Sequence, residues 1–106
     1  MATPAESQTC DGFETQLGTN YLGHFLLFQL LKSALLSSSS PSFNSRVVSL
    51  SSGGHRNSGV NFDDLNMRKD YDSFKAYGQA SAKFVGIYIQ VLANWLGQDG
   101  MVCVWP

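Results

Sequence analysis

The chain has 106 residues, of which 43% are apolar and 14% charged, and its formal net charge is -1. That length holds one domain, and that composition suits a packed globular core rather than a disordered tail. Balanced charges spread along the chain exclude a basic stripe for nucleic acid and a polybasic patch for a membrane surface.

The first residues, Met1 to Glu6, lack the charged-then-apolar layout of a secretory signal, so a cytoplasmic protein is expected. Cys10 and Cys103 match neither a disulfide framework nor a four-ligand zinc site, and a reducing compartment follows. From Asp11 to Leu36 apolar residues recur at helical spacing, through Phe13, Leu17, Tyr21, Phe25, Phe28, Leu31 and Leu35. Asp11 and Glu14 have the spacing of a capping box. The second half of this helix is apolar nearly all round, which predicts burial on more than one side. His24, Gln29 and Lys32 interrupt it, so it is too short and too polar to span a bilayer.

The serines of 37–42, with Pro41, predict a solvated loop. Arg46 to Ser51 is a short β-branched run without strict alternation, which reads as a strand of a parallel sheet. Gly53, Gly54, Asn57 and Gly59 end it, and a loop runs to about Asp70. A second helical pattern covers Asp72 to Leu96, closed by Gly97 as a left-handed cap residue. Met101 to Trp105 reads as another buried strand. Helix, strand, loop, helix, strand is an α/β order, and its last pieces make one right-handed βαβ unit. Two strands and two apolar helices leave faces that a parallel sheet normally covers, so a part of a larger fold is expected.

Three segments carry a family likeness. Asn20-Tyr21-Leu22-Gly23-His24-Phe25-Leu26-Leu27, then Arg46-Val47-Val48-Ser49-Leu50-Ser51-Ser52-Gly53-Gly54-His55-Arg56, then Ala76-Tyr77-Gly78-Gln79 resemble the short-chain dehydrogenase/reductase family, in the family's order. The likeness is nearest to its retinol-dehydrogenase-like branch. It implies that 1–106 is part of a Rossmann-like, doubly wound domain that moves hydride between NAD(P)(H) and an alcohol or carbonyl carbon. By motif, Asn20 matches the helix Asn that holds a proton-relay water. Ser52 matches the residue that bonds the substrate oxygen, and Tyr77 the general acid/base. Lys83 stands for the lysine that lowers the tyrosine pKa, and with Tyr77 it would hold the nicotinamide ribose. The implied partner is a small alcohol or carbonyl substrate. The two long helices are candidates for a homo-oligomer contact.

The sequence departs from that pattern twice. A lysine four residues after the tyrosine shares its helix face, whereas Lys83 is six residues on and points about 240° round. Ser81 fills the expected place, and a π-bulge absorbs only one extra residue. A literal Tyr-x-x-x-Lys occurs earlier, at Tyr71 and Lys75, as an alternative pair. Moreover, no Gly-rich turn follows a strand near the N-terminus to receive a pyrophosphate. The chain alone is therefore expected to be inactive, and a catalytically dead remnant or interaction module is the alternative. His24 and His55 fall short of a metal-ligand set. Ser52 with His55 lacks the nucleophile elbow and carboxylate of a hydrolase.

Overall fold

The computed structural model describes residues 6–43, 45–56, 58–83 and 102–105. Its first element is a helical rod in three parts: α1 (Thr15–Leu17), a π segment (Gly18–Leu22) and α2 (Gly23–Ser37). The rod begins at Thr15 and not at Asp11. Asp11 lies in a tight turn instead, closed by backbone bonds from Thr9 N–H to Phe13 and from Gly12 N–H to Thr9. Gly12 makes that turn with φ of +80°, a conformation that suits glycine.

Glu14 is the true cap. Its Oε1 accepts from Gln16 N–H at 2.9 Å and its Oε2 from Leu17 N–H at 2.8 Å. One carboxylate thus serves two of the helix's free N–H groups. The Glu14 N–H donates in turn to Asn66 Oδ1 at 2.9 Å, tying the helix start to a distant loop. Glu14→Ala should lower stability by about 2 kcal/mol, because two buried donors lose their acceptor. Glu14→Gln, which keeps one oxygen, should lose about half of that in urea unfolding followed by circular dichroism.

Beyond the serine loop, β1 (Val47–Leu50) pairs in parallel with β2 (Val102–Trp105), from Val47 opposite Val102 to Leu50 opposite Trp105. Both strands match the β-branched runs read from the sequence. The second helix starts as α3 (Ser73–Gly78) and continues as a π segment (Gln79–Lys83). Asp72 caps it, accepting from Phe74 and Lys75 N–H at 3.0 and 2.9 Å. The rest of the expected helix, its Gly97 cap and the hand of the crossover lie outside the described residues.

The tightest packing lies where α1 meets α3 and its π continuation. Leu17, Ala76 and Ala80 are buried there, together with Glu14, Gln16 and Gln79. Small side chains let the two rods approach closely, so polar groups in the seam must find partners. Gln79 does so by fastening the loop: its Oε1 accepts from Asn61 N–H and its Nε2 donates to Leu65 O. Met67 closes that loop with a left-handed φ of 49° and places its own side chain in the core. Asp64 braces the same turn by accepting from Arg68 and Lys69 N–H, bonds that hold its carboxyl below the ordinary carboxylate range.

The expectation that α2 is buried on several sides does not hold within this chain. Phe28 is buried, against Tyr21, Leu35 and Val47. Leu26, Leu27, Leu30 and Leu31 of α2 are exposed, as are Val48 and Leu50 of β1. Among the described residues, one face of the helix is covered.

Candidate active site

Three of these elements converge on a cavity of about 270 Å³, lined by Asn20, His24, Val48, Ser49, Leu50, Ser51, Tyr77 and Ser81. The first π segment and α2 bring Asn20 and His24, β1 and the residue after it bring Ser49 and Ser51, and the second helix brings Tyr77 and Ser81. Each helix reaches the cavity at or beside a π turn, a feature common at functional sites. The lining is rich in neutral hydrogen-bonding groups, joined by the imidazole of His24 and the phenol of Tyr77.

Asn20 Nδ2 donates to Ser81 Oγ at 3.0 Å, across 61 residues of chain. His24 Nδ1 lies 3.2 Å from Asn20 O. A carbonyl oxygen only accepts, so Nδ1 carries a proton in this contact. Tyr77 is half-buried, with its ring edge packed against Gly54 of the 3₁₀ turn Gly53–Arg56. Among the described residues no group of three His, Cys, Asp or Glu side chains could hold a metal ion.

The expected residues are thus placed unequally. Asn20 and Tyr77 share the cavity. Ser52 is not among the lining residues; its Oγ accepts from Gly54 N–H at 3.1 Å, and its neighbour Ser51 lines the cavity with Ser49 and Ser81. Lys83 ends the second π segment, and its side chain lies outside what the structure describes. The position four residues after Tyr77 does face the cavity, and it is Ser81. Tyr71 precedes the Asp72 cap, so it shares no helix face with Lys75; its hydroxyl lies 3.4 Å from Gln16 Nε2, outside the cavity.

The reading from sequence missed His24, Ser49 and Ser51 as lining groups. The Asn20–His24 spacing of one helical turn and the i, i+2 spacing of the two serines were the available signals.

The approach of the 3₁₀ turn to α3 depends on two glycines. A Cβ on Gly78 would run into the Gly54 carbonyl oxygen, and one on Gly54 would press on the Tyr77 ring at 3.1 Å. Gly78→Ala should therefore displace the turn and cost about 1–3 kcal/mol. Gly53→Ala, where nothing lies within 4 Å, should change little. Urea midpoints of the two variants compare them directly.

A phosphate-binding turn joins a strand end to a helix N-terminus through glycines. β1 instead continues through Ser51 and Ser52 into the 3₁₀ turn and an irregular loop. The described residues after β1 do not form a pyrophosphate cradle.

An Asn, serines and a Tyr thus meet beside one strand of a parallel pair. Comparison with known proteins then identifies the family. No family model matches the chain. It is 58% identical over 80 residues to the short-chain dehydrogenase/reductase prx1 of Penicillium roqueforti, covering 76% of this chain and 23% of that protein. It is 44% identical over 95 residues to human polyprenol dehydrogenase, covering 90% and 28%. It is 42% identical over 94 residues to mouse retinol dehydrogenase 13, covering 88% and 27%. A crystal structure of an uncharacterized protein from Mycobacterium paratuberculosis superposes over 98% of this chain and 37% of that one, with a TM-score of 0.72 and 34% identity. The chain belongs to the short-chain dehydrogenase/reductase family. It spans about a quarter of the length of these curated relatives.

Proposed function

We propose that this chain carries the proton-handling side of an oxidoreductase site that interconverts an alcohol and a carbonyl compound, within a Rossmann-like, doubly wound domain. The observation that carries this reading is the meeting of Asn20 and Tyr77 in one cavity from two separate helices. Tyr77 exchanges a proton with the substrate oxygen, Ser52, next in the chain to the lining Ser51, hydrogen-bonds that oxygen, and Asn20 orders the route by which the proton leaves. NAD(P)(H), implied by the family, would supply or accept the hydride. Its pyrophosphate has no cradle in the described residues. No role is given to Lys83, whose side chain lies outside what the structure describes.

Relatives named for polyprenol and retinol make a long prenyl-type alcohol the first substrate to try. Among the described residues no helix is long and apolar enough to cross a membrane.

The test is a graft of this chain in place of the matching segment of the Penicillium relative, assayed for NAD(P)-linked oxidation of a prenyl alcohol. Tyr77→Phe should lower the turnover of the graft by about 10²–10⁴-fold, the usual contribution of a general acid/base. Equal rates with Tyr and Phe would overturn the assignment. The second reading, a catalytically dead remnant, is favoured by one observation: Ser81, and not a lysine, faces the cavity beside Tyr77.

A further inference from the structure

We propose that the Asn20–Ser81 hydrogen bond is the tie that locks the two π turns together, and that Ser81 is through it a positioning residue for the Asn20 carboxamide. The proposal rests on the reading of Asn20 as a group of the site, and it names what holds that group.

A π turn carries one residue more than an α turn and moves its side chains out of the ordinary helical rows. Asn20 is the middle residue of the five in Gly18–Leu22, and Ser81 is the middle residue of the five in Gln79–Lys83. The two widened turns therefore meet centre to centre, with Asn20 Nδ2 donating to Ser81 Oγ at 3.0 Å. The residues before Ser81 do not share this work. Ala80 has no polar side-chain atom, and Gln79 turns both ends of its amide to the loop, at Asn61 and Leu65.

Burial makes the bond consequential. Ser81 is 9% exposed, so its hydroxyl has little access to water, and Asn20 is half-buried. Removing either partner leaves the other underbonded, so the two losses are one loss counted twice. The Asn20 main chain is held as well, because His24 Nδ1 donates to its carbonyl oxygen at 3.2 Å. With backbone and amide nitrogen both engaged, Oδ1 is the end of the carboxamide left to the cavity that Asn20 and Ser81 both line. The tie thus selects which end of the amide a hydroxyl group in the cavity meets.

A double-mutant cycle in the full chain measures the bond itself, by urea unfolding at one protein concentration. Asn20→Ala and Ser81→Ala should each raise the unfolding constant about fivefold, the worth of one neutral hydrogen bond. The double variant should fall short of the product of the two by at least threefold. Ser81→Thr and Ser81→Val share a shape and differ in the hydroxyl, so the threonine variant should have an unfolding constant about fivefold smaller. This pair decides if the alanine variants unfold. Backbone hydrogen exchange, followed by mass spectrometry, reads the positioning. Relative to residues 26–34, exchange in 18–22 should be at least threefold faster in Ser81→Val than in Ser81→Thr. Ser49→Ala, which removes a hydroxyl from the same cavity wall, should leave exchange in 18–22 within twofold of the wild type. Single effects that multiply without coupling, or equal exchange in the threonine and valine variants, would overturn the proposal. None of these readouts is turnover. A Tyr77→Phe graft as fast as its parent would defeat the proposed activity and leave the tie standing, and an uncoupled cycle would do the reverse.

Discussion

Deleting Ala80 and Ser81 from the chain grafted into an active relative should raise its turnover at neutral pH by about 10- to 100-fold. The deletion brings Lys83 to the fourth position after Tyr77, the place where Ser81 now faces Asn20 and the cavity. A phenol ionises near pH 10, so about one in a thousand is phenolate at neutral pH. An adjacent ammonium favours the phenolate and lowers that value. Each unit of lowering corresponds to about 1.4 kcal/mol and multiplies the phenolate fraction about tenfold. The sign is fixed by this: alcohol oxidation needs the phenolate, so the rising limb of the rate–pH profile should move to lower pH. The π segment Gln79–Lys83 takes up one surplus residue, while the spacing from Tyr77 to Lys83 exceeds a four-residue step by two. An undeleted graft as fast as the relative would show that the helix presents Lys83 to the site after all.

The second large effect is association. Alone in solution, the chain should scatter light as a multiple of its 11.6 kDa mass. Leu26 and Leu30 are 58% and 70% exposed on α2, and Val48 and Leu50 are 64% and 74% exposed on β1. Apolar side chains grouped on neighbouring elements make patches that monomeric proteins rarely leave open. Replacing Leu26 and Leu30 with Gln should shift the population toward monomer and reduce binding of a hydrophobic dye. A wild-type chain that runs as a clean monomer, with a cooperative melt, would overturn the expectation.

The strands were legible because β-branched runs bounded by glycine and serine have few other uses, and Val47–Leu50 and Val102–Trp105 fall within the expected limits. The second helix was legible at its start, since Asp72 before Ser73 is an ordinary cap signal. The first was not. Asp11 and Glu14 carry a cap-like spacing, but the backbone turn around Gly12 consumes Asp11, and a turn closed by main-chain bonds leaves little trace in side-chain type. The site divides in the same manner. Asn20 and Tyr77 were placed by motif, and the cavity unites them. The Asn20–Ser81 bond was invisible because it joins residues of separate helices, and no local pattern encodes a contact across 61 residues. The π turns escaped for a related reason: a 3.6-residue period averages over a single widened turn.

The burial of β1 alternates in a way that reverses the habit of a surface strand. Its serine at 49 is half-buried and lines the cavity, while its apolar residues 48 and 50 are the exposed ones. Packing and chemistry therefore share one face of this strand, Val47 against Phe28 and Ser49 in the cavity wall, and its alignment with β2 decides which face holds the hydroxyl. A slip of one residue would turn every side chain to the opposite face. Val48 and Leu50, which touch the cavity from an exposed face, would then turn toward Phe28, and Ser49 would turn outward. The pairing of Val47 with Val102 thus works as a reading frame for the site: fidelity in a few backbone hydrogen bonds sets which face of the strand carries the Ser49 hydroxyl.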